Sequence, residues 1–522
     1  MIPLTYRLRP EIRFEHRNGS VLVVSEVPLN VVRVSCRAEV VLRSCDGRRS
    51  VHRIAAEVPD LSEEQVFRIC EYFNRKGVLE TVQTRNDGYF PSVTVIIPAR
   101  DRRDELVECL ESVFFQDYPG DRIEVIVIDD GSRDSTASSA AAFPCKLLFL
   151  GRSRGQSFCR NLGAREAGGE IIAFLDSDCV ADKGWLAQIV PYFQWERIGA
   201  VGGRVDGYFA QSRLDRYEKT FSSLNMGKHI LYGGSDDSLV YTPTCNLLVR
   251  RSVYRETGGI RDDMRLGEDV DFCWRMRAKG HVLLYVPFGA VRHKHRNRLF
   301  PMLRRRSEYG TSEASLYRLH PAKRKVFPAP PLGVAAFLGL CAAVAFISPI
   351  YLCLPLGCFV FDGAAKTART RRRGLRIPLW KAYFSVVRTY FSFFYLVSFH
   401  VVRYYLALLV LLGFVFHPLW LLSLFLIALS SIVDYTTKRP RLAFPVFLFY
   451  YTLEHVFYQA GVFAGCVRAG TFGSYRPRVL ARRLHEGRRA HEPRRLWYTV
   501  AGFLSTSVAD YWTKGYPRKG SR

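Results

Sequence analysis

The sequence predicts an α/β protein built on a doubly wound, mostly parallel sheet, with a small N-terminal domain before it and a helical membrane region after it. Three observations predict this. Strand-like apolar runs alternate with helical patterns in the middle of the chain, a hairpin signal lies near the N-terminus, and long uncharged stretches fill much of the last third. Strands that alternate with helices imply parallel pairing through helical crossovers. We expect boundaries at 1–85, 92–300, 301–330, 331–467 and 468–522.

The small N-terminal domain is predicted from local turn and cap signals. Two strand-like runs in "RFEHRNGSVLVV" meet at Asn18-Gly19, a pair typical of a tight hairpin turn. A helix should begin after Ser62, which has Gln65 at capping-box spacing, and Gly77 should end it. Strands followed by three small helices favour a winged-helix shape.

Four runs in the middle of the chain predict buried strands: "VTVIIP", "IEVIVIDD", "CKLLFL" and "EIIAFLDSD". Such runs are apolar on both faces, as in the interior of a parallel sheet. Helical patterns at 104–116 and 157–167 fit between them. No GxGxxG follows the first strand and no GxxxxGK[ST] occurs, so dehydrogenases and P-loop NTPases lose most of their support.

Two long stretches, 331–361 and 404–433, carry no charged side chain, and each exceeds the ~20 apolar residues that cross a bilayer. A third stretch, 442–467, is apolar except for Glu454 and His455. Prolines inside the first stretch indicate a hairpin, and His417-Pro418 breaks the second. The C-terminal third is therefore predicted to be a membrane region.

The chain is strongly basic, with 75 Lys and Arg against 48 Asp and Glu and a net charge of +27. Basic residues crowd 301–325, 362–381 and 468–497, and the positive-inside rule places such flanks in the cytoplasm. We attribute the charge to this topology and to an anionic lipid bilayer, not to nucleic acid. No signal peptide precedes the sheet, so we expect a multi-pass protein of the cell membrane with its first 300 residues in the cytoplasm.

Carboxylates follow two of the predicted strands. Asp176 and Asp178 end "EIIAFLDSD", and Asp129 and Asp130 end "IEVIVIDD". Open α/β sheets bind ligands just beyond the carboxyl ends of their strands. Taken alone, each pair is equally typical of a solvated turn.

Two later segments add titratable groups. "LGEDVDFCWR" brings Glu268, Asp269 and Asp271 to the start of a helical pattern, where first-turn acids are the simpler interpretation. "VRHKHR" brings His293 and His295, for which a solvated basic loop is the alternative. Their joint occurrence in this order on one sheet favours an active site.

Together these segments resemble family 2 glycosyltransferases with the GT-A fold. The matching segments are "VTVIIPARDR", "VIDDGSRDST", "SRGQSFCRNLGA", "FLDSD", "VGGRV", "LGEDVDFCWRMRAKG" and "VRHKH". The whole layout, with a PqqD-like N-terminal module and a hydrophobic tail, looks like the mycofactocin-system glycosyltransferase family. That resemblance implies an inverting transfer of a hexose, with glucose as the expected sugar, from a UDP-sugar to a peptide-derived redox cofactor.

The resemblance also implies residue roles. Asp178 is the expected ligand of a divalent metal, Mg²⁺ or Mn²⁺, with Asp176 as its partner toward the donor and His293 as a further ligand; His295 stays open as the alternative. Asp269 is the expected base, with Glu268 as a neighbouring orienter. The expected donor-binding residues are Pro98, Arg100, Asp101, Asp129, Asp130, Arg160 and Asp176, and the expected acceptor-binding residues are Asn246, Trp274 and Arg275.

Two rival functions stay open. The membrane region also suits a glycosyltransferase that acts on a lipid-linked acceptor or an envelope polysaccharide, although no QxxRW motif of long-chain synthases occurs. In another class, the chain is a peptide-binding scaffold that carries an inactive transferase domain.

Overall fold

The computed structural model describes residues 4–17, 20–26, 29–82, 88–234, 239–372 and 378–481. These residues form two compact units. The first, here the sheet unit, comprises 4–8, 41–74 and 79–302; the second, here the helical unit, comprises 9–40, 75–78 and 303–481. Each unit is described by itself below.

The strands are β1 Thr5–Leu8, β2 Arg13–Arg17, β3 Ser20–Glu26, β4 Leu29–Val34, β5 Asp46–Ser50, β6 Leu79–Val82, β7 Val93–Ala99, β8 Ile123–Asp129, β9 Lys146–Phe149, β10 Ile171–Leu175, β11 Cys179–Ala181, β12 Ile198–Gly202, β13 Val205–Gly207, β14 Leu231–Gly233, β15 Asn246–Arg250, β16 Val282–Tyr285, β17 Val291–His293, β18 Val326–Ala329 and β19 Arg478–Ala481. The helices are α1 Cys36–Ser44, α2 Val51–Glu57, α3 Glu63–Arg75, α4 Arg103–Phe114, α5 Thr136–Ala140, α6 Gln156–Glu166, α7 Trp185–Ile189, α8 Arg213–Phe221, α9 Arg251–Thr257, α10 Glu268–Ala278, α11 Leu299–Leu319, α12 Pro331–Ala345, α13 Cys353–Arg372, α14 Leu379–Leu412, α15 Pro418–Lys438 and α16 Phe444–Ala469.

The sheet unit is organised around an eight-stranded sheet in the order β14-β16-β12-β15-β10-β7-β8-β9. Strands β10, β7, β8 and β9 run parallel, while β15 is antiparallel to both of its neighbours. The chain moves outward from β7 to β9 and then returns to the other side of β7 with β10. Such a reversal is the switch point at which doubly wound sheets bind ligands. The predicted fold class is therefore confirmed, with β15 and the edge strand β14 as its antiparallel exceptions.

The interior strands are buried because they are apolar on both faces. Ile96, Ile128 and Phe174 are fully buried in one core cluster of the sheet unit. Burying a side chain of this size contributes about 1.5–3 kcal/mol relative to leaving it exposed. The rigid sheet that results fixes the position of every loop at its carboxyl edge.

The N-terminal elements divide between the two units. In the helical unit, β2 pairs antiparallel with β3 and confirms the hairpin, although residues 18–19 lie outside the described residues. In the sheet unit, the Ser62 and Gln65 side chains each bond the other's backbone N–H, which confirms the capping box before α3. The boundary at residue 85 stays a prediction.

The helical unit contains three helical segments that are long and apolar enough to cross a membrane: Pro349–Arg372, Leu379–Leu412 and Pro418–Lys438. The first apolar stretch does form a hairpin, since α12 ends at Ala345 and α13 returns after a turn. The second breaks where expected, between α14 and α15. This composition supports association with a membrane. The predicted tail 468–522 lies mostly outside the described residues.

Candidate active site

The candidate active site lies at the carboxyl edge of the sheet, where β7, β8 and β10 end side by side. Parallel strands bring their carboxyl ends to the same edge, so loops distant in sequence meet there. Six predicted residues end these strands or follow them: Arg100, Asp101, Asp129, Asp130, Asp176 and Asp178.

A buried arginine joins two of the predicted acids. Arg160 of α6 is 1% exposed, and it donates from Nη2 to Asp176 Oδ1 at 2.6 Å and from Nη1 to Glu268 Oε1 at 3.1 Å. Burial alone would lower the pKa of Arg160, but the charges of Asp176 and Glu268 outweigh it and raise the pKa above its ordinary value. The Gln156 side chain also donates to Glu268, at 2.7 Å. Arg160 therefore stays charged and holds both carboxylates in place.

Asp269 lies beside this pair in the first turn of α10. The residue before the helix, Gly267, has φ of +78°, a left-handed conformation that suits glycine and aims the first turn at the sheet edge. Asp269 Oδ1 accepts from the Val270 N–H at 2.8 Å. Enclosure by surrounding protein, and next the negative charge of Glu268, raise the pKa of Asp269 to about 7. An acid with this pKa can exchange a proton at neutral pH.

Asp178 faces several basic groups without bonding closely to any of them. His293 Nε2 lies 3.6 Å from Asp178 Oδ1, and Arg102 Nη2 and Arg296 Nη1 lie 3.7 and 3.8 Å from Asp178 Oδ2. A separation of 3.6 Å is too long for a hydrogen bond. A carboxylate and an imidazole that face each other at this distance fit two ligands of one divalent cation. Among the described residues, no group of three or more His, Cys, Asp or Glu is placed to hold a metal.

The choice between the two histidines follows from their partners. His293 in β17 lies directly opposite Cys179 in β11, next to Asp178. His295 is buried, and its Nε2 lies 3.2 Å from Asp215 Oδ1. Because Asp215 already occupies that ring nitrogen, the geometry favours His293 as the metal ligand.

Two adjacent acids at the end of β8 have different surroundings. Asp130 accepts from the Ser153 hydroxyl at 2.7 Å and from the backbone N–H groups of Arg154 and Gly155 at 2.6 and 3.0 Å. It therefore holds the loop before α6. Asp129 is fully buried, and its Oδ2 has no hydrogen-bond partner among the described residues.

The segment after β7 carries the remaining predicted donor residues. Pro98 lies in β7, and Arg100 donates to the Ser153 hydroxyl at 2.8 Å. Asp101 has φ of +50°, which few non-glycine residues adopt, and its Oδ1 accepts from the Arg133 N–H at 2.8 Å. Beside this segment lies an open depression of about 370 Å³, lined by Leu150, Gly151, Arg152 and Arg154.

The three residues predicted to bind the acceptor are engaged in the protein interior. Asn246 is fully buried, accepts from Trp185 Nε1 and donates to two backbone carbonyls. Trp274 is buried. Arg275 donates to Asp271 and to two backbone carbonyls near the end of α9. These contacts already use polar groups of Asn246 and Arg275, and acceptor binding by Asn246, Trp274 and Arg275 stays a prediction.

Three residues at the site were not singled out from the sequence: Gln156, Arg102 and Arg296. All lie within or next to segments that resembled the family. Nothing in their spacing indicated that Gln156 reaches Glu268, 112 positions away. A polar residue at the start of a helix that begins at the carboxyl edge of the sheet is the signal available.

The chain is similar to known glycosyltransferases. The model of "Glycosyl transferase family 2" matches residues 94–258. A pre-mycofactocin glycosyltransferase of Mycobacterium tuberculosis is 32% identical over 235 residues, which cover 44% of this chain and 48% of that protein. Glycosyltransferase AglE of Haloferax volcanii is 30% identical over 221 residues, which cover 39% of this chain and 70% of that protein.

Solved structures are more distant. The mannosyltransferase PcManGT from Pyrobaculum calidifontis, in complex with GDP-Man and Mn²⁺, has a TM-score of 0.36 at 19% identity, and the match covers 58% of this chain and 88% of that chain. The chain spans about half the length of the Mycobacterium relative. It spans more than two thirds of the Haloferax relative, which is also named as a glycosyltransferase. The family model and these two relatives agree: the chain belongs to glycosyltransferase family 2.

Proposed function

We propose that this transferase moves a hexose, with glucose as the expected sugar, from a UDP-sugar to a small acceptor with inversion at the anomeric carbon. The observation that carries the proposal is the chain of contacts from Asp176 through Arg160 to Glu268, with Asp269 beside it. It joins the donor side of the site to a group that can accept a proton.

In this reaction the acceptor hydroxyl attacks the anomeric carbon from the face opposite the leaving diphosphate. The new C–O bond forms as the bond to the diphosphate breaks, and Asp269 takes the hydroxyl proton. A pKa of about 7 suits this role, because the base is then deprotonated in part yet still binds a proton readily. Glu268 is fixed by Arg160 and Gln156, so it orients the site and supplies the negative charge that raises the Asp269 pKa.

The donor nucleoside is assigned to the edge of β7 and β8. The buried Oδ2 of Asp129 has no partner among the described residues, which supports Asp129 over Asp130 as the contact to the base. Asp130 instead shapes the loop at 151–155. Pro98, Arg100 and Asp101 belong to the same pocket.

Asp178 and His293 would hold a divalent metal, either Mg²⁺ or Mn²⁺. When bound, such an ion neutralises charge on the leaving diphosphate. Arg102 and Arg296 lie close enough to Asp178 to share that task. Asp176 is tied to Arg160 and is therefore better suited to contact the donor than to bind the metal.

The acceptor is assigned from two lines of support. The Mycobacterium relative is named for pre-mycofactocin, which favours a peptide-derived redox cofactor. The apolar helices equally suit a lipid-linked acceptor at the cytoplasmic face of the membrane, so a lipid or envelope glycosyltransferase is the second candidate. Catalysis in the cytoplasm agrees with the basic flanks of the helices.

The reaction is tested with purified full-length protein in detergent. UDP-glucose should be hydrolysed slowly with Mg²⁺ or Mn²⁺, and a chelator should stop hydrolysis. Asp178→Asn should remove the metal-dependent rate while the melting temperature stays near that of the wild type. An unchanged rate in this variant would show that Asp178 holds no catalytic metal.

The acceptor is tested by mass spectrometry of metabolites from cells with and without the gene. A ladder of hexose additions on one small peptide-derived molecule supports the first candidate. A ladder on a lipid supports the second. Cells that carry the Asp178→Asn gene serve as the matched control, because they should make the protein but should not add sugar to the acceptor.

A further inference from the structure

Four apolar helices form two hairpins whose turns expose large apolar side chains. One hairpin is α12 and α13, joined through 346–348 and a short 3₁₀ turn; the other is α14 and α15, joined through 413–417. At the turns, Ile350 is 70% exposed and Val415 is 85% exposed. Turns of soluble proteins favour glycine and polar residues, so large apolar side chains exposed at a turn favour an apolar environment.

The uncharged part of every leg is too short to cross a bilayer. Helix α12 has 15 residues and is about 22 Å long. On α13, residues 349–361 run about 20 Å before Asp362. The hydrocarbon core is about 30 Å thick. The first hairpin therefore turns back before it reaches the far face.

The second hairpin has the same limitation. On α14 only residues 404–412, about 14 Å, separate Arg403 from the turn, and on α15 residues 418–433 run about 24 Å before Asp434. By length and composition alone these helices could cross, but any 20 consecutive residues of them would bring Asp362, Arg388, Arg403 or Asp434 into the hydrocarbon. A charged side chain there is costly.

The two turns approach each other. The rings of Phe346 and Phe416, one from each turn, have centroids 6.3 Å apart. At the other end of the hairpins the charges are concentrated, including Arg369, Arg371 and Arg372 in the last turn of α13. Basic ends suit the anionic headgroups of a single membrane face.

A polar cluster of Arg403, Glu454 and Tyr458 lies on the second hairpin and α16, with Arg403 between the turn and the start of α14. Arg403 lies 3.6 Å from Glu454 Oε1, and its guanidinium stacks over the Tyr458 ring at 3.6 Å. If the helices crossed fully, this ion pair would lie deep in hydrocarbon. At about 14–18 Å from the turn it lies instead near the headgroups.

We propose that both hairpins are re-entrant: they enter the bilayer from one face, turn within the hydrocarbon, and leave by the same face. The partner is the acyl-chain layer below anionic headgroups. This anchoring is independent of the proposed reaction. It replaces the predicted multi-pass arrangement with insertion from one side.

The test uses the full chain with azidophenylalanine placed at Ile350 or Val415 in the turns, or at exposed Arg371 as the matched basal control. A membrane-impermeant alkyne reagent is added to right-side-out and to inside-out membrane vesicles. We expect Arg371 to react from the cytoplasmic side only. The two turn positions should react from neither side, and all three should react after detergent is added.

Every other result overturns the proposal. Reaction of a turn position from the side opposite Arg371 would mean that the helices cross. Reaction from the same side as Arg371 would place the hairpins outside the bilayer. No reaction in detergent would mean that the turn is covered by protein. Elution of each variant at the wild-type volume in size exclusion checks folding, and Phe414 replaces any turn position that fails this check.

Discussion

The sheet unit and the helical unit each bury a small cluster of charges, and the two clusters are balanced in opposite ways. In the sheet unit one cation, Arg160, is shared by Asp176 and Glu268. In the helical unit one carboxylate, Glu454, is shared by Arg306 and Arg403.

An acid lies next to each cluster, Asp269 in the sheet unit and Glu313 in the helical unit, and the pKa values of these two acids shift in opposite directions. Asp269 lies beside an excess of carboxylate, and its pKa rises to about 7. Glu313 accepts from Lys325 and from two tyrosine hydroxyls at 2.7–2.9 Å. Burial alone would raise the Glu313 pKa, but these partners outweigh it and lower the pKa below its ordinary value. Glu313 is paired with Lys325 and stays charged, which suits a role in packing. Asp269 lies beside the negative charge of Glu268, and its raised pKa suits proton transfer.

The largest expected effect on turnover is that of Asp269→Asn. A general base contributes ~10²–10⁴ to the rate, so we expect turnover to fall on that order. UDP affinity should stay within about threefold, since proton transfer contributes nothing to donor binding. Turnover by coupled assay and UDP binding by calorimetry measure the two effects.

Two other outcomes would reassign the residue. Equal losses of turnover and UDP affinity would place Asp269 in the donor pocket. Nearly normal turnover with a stability loss of ~0.3–1 kcal/mol would make Asp269 an ordinary first-turn acid of α10.

The second prediction concerns pH. Because Asp269 must be deprotonated to act, the wild-type rate should fall as pH drops below about 7. Glu268→Gln keeps the side chain's size but removes the charge that helps to raise this pKa. The acid limb of the pH–rate profile should therefore move to lower pH. If it does not move, a group other than Asp269 controls that limb.

The sign of the stability effect follows from the same shift. The folded Asp269 pKa is about 7 and that of an unfolded aspartate is about 4, so the folded state binds the proton more tightly. Between these values the free energy of unfolding should fall as pH rises. Asp269→Asn should remove that part of the slope in melting experiments at several pH values.

Much of this arrangement could be predicted from local sequence. The strands β7, β8 and β10 could be predicted because their runs are apolar on both faces, and the position of Asp178 could be predicted because it follows a strand. The role of Asp178 stays a prediction. What could not be predicted depends on partners far along the chain. His295 is made a less suitable ligand by its contact with Asp215, 80 positions away, and Asn246 is buried with bonds to Trp185 and to distant carbonyls. Neither contact has a local pattern.

The smallest expected change in turnover belongs to Glu313→Gln. This substitution removes the charge that Lys325, Tyr404 and Tyr458 share but keeps the side chain's shape. Hydrogen bonds to charged groups contribute about 1.5–3 kcal/mol, so we expect a loss of that order in the free energy of unfolding. Turnover should stay within about twofold, which corresponds to a change of about 0.4 kcal/mol or less in the activation barrier.

Hydrogen–deuterium exchange mass spectrometry locates the effect of Glu313→Gln. Exchange should increase in α11, α14 and α16, which carry the bonded groups, and stay unchanged in α10. Tyr404→Phe is the matched control, since it removes one of the same bonds and leaves the charge in place; its effect should be smaller and lie in the same helices. A large loss of turnover in Glu313→Gln with an unchanged melting temperature would contradict the comparison, because Glu313 would then take part in catalysis.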